Sequence, residues 1–211
     1  MNQLTADNSR VCLKYMTNGA VFPKIKVVAL DFDGVITNLN VDWDAALHLA
    51  STAAGYNIEN LIPFYEATYG TPVFQKASKL IEQLELEALK DAELAPYTVE
   101  FLEKLAELKV AIYIVSMQSM HVVKQFLNKH GLSAYISDVV TRDKCPSKKA
   151  QVLYVLEKSR VRPEQVLLVD DSAGNITNCK VLGISCFHFE KQQNPQKTKE
   201  MWDAILKRVR G

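Results

Sequence analysis

The stretch Val27-Val28-Ala29-Leu30-Asp31-Phe32-Asp33-Gly34-Val35-Ile36-Thr37 decides the fold. Four consecutive apolar residues run straight into two acids separated by one residue and closed by glycine. A strand that is apolar on successive positions, rather than on alternate ones, suits a parallel sheet covered on both faces. This run extends over Ile25 to Phe32, and four others read the same way: Val110 to Val115, Tyr135 to Val140, Val166 to Val169 and Ile184 to Phe189. Helical repeats lie between and after them. Phe101, Leu102, Leu105 and Leu108 recur at three to four residues, as do Val122, Val123, Phe126 and Leu127, then Val152, Leu153 and Leu156, and finally Met201, Trp202, Ile205 and Leu206. Strand alternating with helix predicts a doubly wound α/β domain.

The first connection breaks the rhythm. From Asn38 to Leu94 there is helical material only, with Ala45 to Ala54 and then Ala77, Leu80, Ile81 and Leu84 as its apolar faces. A crossover needs only about a dozen residues, so this longer segment reads as a small helical insertion. Gly55, Pro63 and Gly70-Thr71-Pro72 divide it into three or four helices. The expected organisation is an N-terminal arm over 1–24, an α/β core over 25–38 and 95–211, and the insertion over 39–94. Pro96 marks re-entry to the core.

Composition narrows the classes. The chain has 211 residues, 48% of them hydrophobic and 23% charged, which suits one soluble domain with a modest insertion. A formal charge of +1 gives no global field to recruit nucleic acid or an anionic membrane. The basic residues Lys197, Lys199, Lys207, Arg208 and Arg210 read as a solvated helix face rather than a nucleic-acid patch. No apolar run approaches a membrane span, and Met1 to Lys24 is too polar for a signal peptide. Cys12, Cys145, Cys179 and Cys186 show no CxxC spacing, so reduced thiols in a cytoplasmic protein are the simplest reading. His48, His121, His130 and His188 show no ligand spacing and are read as structural.

In a parallel sheet, ligands bind beyond the carboxyl ends of the strands. Asp31 and Asp33 emerge there, and the fourth apolar run ends alike in Asp170-Asp171-Ser172. Taken alone, either cluster could be an acidic turn or a helix cap. Two such clusters on one sheet edge would repel severely without a cation, and hard oxygen donors favour Mg²⁺. The second core run ends in Ser116, a hydroxyl at the same edge or simply the residue leading to a helix capped by Ser119. Ser147 reads as an N-cap, which puts Lys148 and Lys149 in a first helical turn. A lysine there is poorly placed for the macrodipole unless it faces an anion; the alternative is two solvated side chains.

DFDGV after a first strand, Ser116 after a second, a lysine at a helix start and DDSAGN after a fourth resemble the four ordered motifs of the haloacid dehalogenase-like (HAD) superfamily, across roughly Ile25 to Glu190. The resemblance implies a Rossmann-like parallel core with a small helical cap inserted after the first strand, as in members similar to phosphoglycolate phosphatase. It implies Asp31 as nucleophile and Asp33 as general acid/base, and Ser116, Lys148 and Gly34 around the phosphoryl group. Lys149 remains the alternative lysine, because it fits the helix phase almost as well. For the metal it implies Asp31, the Asp33 backbone carbonyl and Asp171, with Asp170 secondary. Asn175 stands where many members carry a further acid, Val35 where threonine is common and Met117 where asparagine often follows the serine.

The expected activity is Mg²⁺-dependent hydrolysis of a small phosphorylated metabolite through an aspartyl-phosphate. An acid two residues after the nucleophile favours phosphate esters over halides, because an alcohol leaving group needs a proton. Trp43, Tyr65, Glu66 and Tyr69 are candidate substrate contacts from the insertion, or packing and surface within it. A phosphomutase or phosphotransferase would use the same residues with a sugar hydroxyl as acceptor. A non-catalytic phosphate-sensing, receiver-like module is opposed by the long insertion and the DxDG spacing. Substrate identity and oligomeric state carry no sequence signature.

Overall fold

The computed structural model describes residues 24–190 and 194–211. The expected arm, Lys24 excepted, lies outside the described residues. Five strands form one parallel sheet: β1 (Val27–Leu30), β2 (Ala111–Val115), β3 (Asp138–Val140), β4 (Val166–Asp170) and β5 (Ser185–His188). Their spatial order is β3-β2-β1-β4-β5. The winding reverses between β1 and β4, so the crevice used by ligands in such sheets opens beyond the ends of those two strands. Their register pairs Leu30 with Val169, and the Asp31 N–H donates to the Val169 carbonyl at 2.9 Å. Asp31 therefore stands level with Asp170.

Successive side chains of each strand feed opposite faces, which explains the unbroken apolar runs. Val28, Leu30, Ile112, Ile114, Leu167 and Val169 bury against three helices, α4 (Thr98–Glu107), α5 (Met120–Lys129) and α8 (Pro195–Arg210). Val27, Ala29, Tyr113, Val115, Val166 and Leu168 bury against α6 (Lys148–Ser159) and α7 (Ala173–Lys180). On the first face Trp202 stacks on Phe101 at 4.2 Å between ring centroids, and its indole N–H donates to the Pro96 carbonyl.

The connection from β1 holds α1 (Trp43–Ala54), α2 (Leu61–Thr68) and α3 (Pro72–Leu89) before α4. Local chemistry sets their ends. Asp42, Asn60 and Thr71 accept backbone N–H groups at the three starts, and Gly55 stops α1 in the left-handed region at φ 80°. The expected break at Pro63 does not occur. Proline lies in the first turn of α2, where its missing N–H costs no intrahelical bond. The three helices share a hydrophobic cluster of their own, with Ala46, Ala50, Phe64, Tyr65, Phe74, Ala77 and Ile81 buried in it. The chain leaves and re-enters the core side by side. Thr37 bridges Leu94 in antiparallel fashion, the Thr37 hydroxyl donates to the Glu93 carbonyl at 2.7 Å, and the Ala95 N–H donates to the Ile36 carbonyl. Among the described residues no helix is long and apolar enough to cross a membrane.

Candidate active site

Because Val27 and Ala29 face α6, the next odd position brings the Asp31 side chain to the same side. There it meets the first residue of α6. Lys148 Nζ lies 2.8 Å from Asp31 Oδ1 and 3.3 Å from Asp170 Oδ2, and donates to the Val115 carbonyl at 2.6 Å. One ammonium thus ties together the ends of β1, β2 and β4. Lys148 is 3% exposed, whereas Lys149 is exposed. Ser147 occupies the N-cap position of α6, but its side chain makes no cap hydrogen bond.

Around this ammonium the acids converge. Asp31, Asp170 and Asp171 each offer a carboxylate oxygen within 4.8 Å of the others. Asp170 is fully buried and held from two sides, by the Ser172 N–H at 2.9 Å and by the Asn175 amide at 3.0 Å. Asn175, expected near a metal, therefore donates to Asp170. Asp171 packs against Gly34, where a Cβ would fall 2.0 Å from Asp171 Oδ2; with φ at +85°, the position admits glycine alone. Gly34 thereby lets the turn after β1 press against the acid that follows β4. Asp33 lies just before that turn, and its Oδ1 accepts the Leu39 N–H at 2.8 Å.

Electrostatics follow from burial. Desolvation pushes the Asp31 carboxyl well above its usual range; Lys148 pulls it down, and Asp170 and Asp171 push it up again. For Lys148, burial depresses the ammonium, but Asp31 and Asp170 more than reverse that and hold it above its ordinary value. Three carboxylates against one ammonium leave two negative charges in excess. That surplus of hard oxygen donors fits a divalent cation such as Mg²⁺, and Asp31, Asp170 and Asp171 are the side chains that would hold it.

Ser116 is fully buried at the same sheet edge. Its hydroxyl donates to Gln118 Oε1 and accepts the Gln118 N–H, while its carbonyl accepts the Gln151 amide at 2.6 Å. Ser119 caps α5. Of the four expected contacts from the insertion, Trp43 and Tyr65 line one cleft together with Met117. Tyr65 is largely a packing residue, against Phe64 and Phe74. The Tyr69 hydroxyl donates to the Asp143 carbonyl, and Glu66 is exposed.

Several residues near the site escaped the sequence reading. His188, read as structural, donates through Nε2 to the Asp171 carbonyl at 2.8 Å. Gln118 and Gln151 hold both ends of Ser116. Arg142 and Glu85 form an ion pair with both side chains fully buried. Arg142 also donates to the Ser78 hydroxyl at 2.8 Å, the Ser78 carbonyl and the Met117 carbonyl, and its guanidinium lies over the Tyr65 ring. Glu85 Oε2 accepts the Ser119 N–H at 3.1 Å. The pair joins α3 to the loop after β3, and its two members together hold the loop after β2 through Ser119 and Met117. The only sequence signals were an arginine just beyond a buried strand and a glutamate on the apolar face of a helix.

Comparison with known proteins agrees with this architecture. Phosphoglycolate phosphatase of Vibrio parahaemolyticus is 27% identical over 188 residues, covering 77% of this chain and 82% of that protein. The enzyme of the same name from Vibrio cholerae is 28% identical over 195 residues, with 78% and 83% covered. Among solved structures, a HAD phosphatase from Thermococcus onnurineus superposes with a TM-score of 0.55 at 20% identity over 81% of this chain and 88% of its own. A haloacid dehalogenase-like family hydrolase from Streptococcus pneumoniae does so with 0.58 at 14% identity over 83% and 91%. The model of the family described as haloacid dehalogenase-like hydrolase matches residues 28–189, from within β1 to just past β5. The chain belongs to the haloacid dehalogenase-like hydrolase family and is an enzyme of the hydrolase class.

Proposed function

We propose that the chain is a Mg²⁺-dependent phosphatase that hydrolyses a small phosphate monoester through a phosphorylated Asp31. The observation that carries this reading is the Asp31 carboxylate held by Lys148 at 2.8 Å at the sheet's switch point, with Asp170 and Asp171 beside it. A buried carboxylate oriented in this way is suited to in-line attack on phosphorus. The Asp31–P bond forms as the ester P–O bond breaks, and Asp33 gives its proton to the departing alkoxide. Asp33 then takes a proton from the water that hydrolyses the acyl-phosphate, releasing phosphate and restoring Asp31. The Leu39 N–H fixes the Asp33 carboxylate for both transfers.

Lys148 neutralises charge on the phosphoryl oxygens as it builds, and Ser116 turns its hydroxyl from Gln118 to one of them. When bound by Asp31, Asp170 and Asp171, with the Asp33 carbonyl as a further donor, the metal ion supplies charge neutralisation and Lewis acidity at the phosphoryl group. The 39–94 segment acts as the cap over this edge, a role supported by the contacts of Glu85 and Arg142 with the loop after Ser116. The enzyme is assigned to the cytoplasm, which suits the unpaired Cys145, Cys179 and Cys186.

The test is turnover of p-nitrophenyl phosphate with Mg²⁺. Asp31→Asn is expected to abolish it while leaving the far-ultraviolet circular dichroism unchanged. Full residual activity in that variant would reject Asp31 as nucleophile.

A further inference from the structure

A cleft of about 300 Å³ opens between the inserted helices and the loop after β2, within the range of small-molecule sites. Its apolar wall is made by Trp43, Leu47, Leu61, Ile62, Tyr65 and Met117. Trp43 is 42% exposed and Ile62 36%, so two large apolar side chains stay open to a ligand on one concave, mainly apolar surface, the make-up of small-molecule pockets. The cleft adjoins the chemistry. Lys148 grips the Val115 carbonyl, and Met117 follows two residues later, a span of at most about 7 Å.

Its polar lining is Glu59 and Asn60, and no lysine, arginine or histidine is among the described residues that line it. Arg142 touches two of the wall residues, Tyr65 and Met117. It is nevertheless fully buried and committed to Glu85 and Ser78, so its charge is already matched. A carboxylate seated here would lose water, find no cation and face Glu59.

Resting on the phosphatase reading, the geometry points to an uncharged, predominantly apolar, ring-sized alcohol as the leaving group that fills this cleft. The preferred substrate is then an apolar phosphate monoester, and a carboxylated one such as phosphoglycolate is a poor fit.

The test uses the full chain with Mg²⁺ and two non-hydrolysable probes, benzylphosphonate and phosphonoacetate, followed by calorimetry. Benzylphosphonate is expected to bind at least about tenfold more tightly, and Ile62→Lys is expected to reverse the order. Should Ile62→Lys lose its helical circular dichroism, Trp43→Lys, also at an exposed position, carries the same test. In parallel, kcat/KM is measured for benzyl phosphate and phosphoglycolate. Preferential binding of benzylphosphonate without turnover of either ester leaves the cleft assignment standing and removes the phosphatase reading. Turnover of both esters with phosphoglycolate equal or better overturns the assignment and leaves the phosphatase reading intact. Failure of benzylphosphonate to bind, or an order unchanged by the lysine variants, also overturns it.

Discussion

The Asp31 carboxyl and the Lys148 ammonium are buried together, and removing either has opposite expected effects on folding. Burial raises the proton affinity of Asp31 against the pull of Lys148. A carboxyl whose folded pKa lies above its unfolded value weakens the fold once pH rises past about 3.9, and the deficit stops growing above the folded pKa. In chelator at neutral pH, Asp31→Asn should therefore melt above the parent, while at pH 3 the two should converge; a variant that melts lower at every pH would contradict the charge imbalance. Lys148 has the reverse sign, because its folded pKa is raised. Its contribution is complete below about pH 10.4 and fades as pH climbs through the folded value. Lys148→Met should cost about 3–5 kcal/mol at neutral pH, by stranding buried carboxylates, and slow turnover by at least about 100-fold. Lys149→Met should stay within about 0.5 kcal/mol in urea unfolding, with activity near that of the parent. Equal mild losses in the two variants would show that neither lysine serves the phosphate.

At the scale of elements, what could be read from sequence follows from what leaves a periodic trace. Four of the five strands fall within the expected apolar runs, and β4 overruns its own by one residue, Asp170. In β1 and β4 both faces of the sheet are covered, so burial leaves no polar gap in Val27–Leu30 or before Asp170 in β4. The acids at their ends were visible for the same reason: the runs stop abruptly. The choice between Lys148 and Lys149 was not, since adjacent helix positions differ by about 100° and only the tertiary position of Asp31 decides between them. Pro63 was misread because a proline that breaks a helix interior is harmless in a first turn. The Glu85–Arg142 pair was invisible for a different reason. Its partners lie 57 residues apart, and a charge on a helix normally signals solvent. Linking α3 to the loops after β2 and β3, this pair should dominate the attachment of the insertion. Arg142→Met should destabilise by about 3–5 kcal/mol, and adding Glu85→Leu should recover much of that loss, because a lone buried charge costs more than a missing pair. Denaturant unfolding of the single and double variants measures both.

For the molecule as a whole, the excess negative charge at the sheet's switch point should make stability respond to divalent ions. Mg²⁺ at about 100 times its Kd should add about 2.7 kcal/mol, read as a rise in melting temperature that Asp171→Asn diminishes. A melting curve indifferent to Mg²⁺ would argue against the three acids as ligands. The pairing of Thr37 with Leu94 has a further consequence for how this architecture can diversify. A segment whose two ends already touch can be shortened, lengthened or swapped for another without moving the strands that flank it, because a tight turn could close the same gap. Replacing residues 39–93 by such a turn should yield a chain that retains the parallel sheet, provided the core surface that Leu39, Val41, Leu89 and Ala92 cover is recast for water.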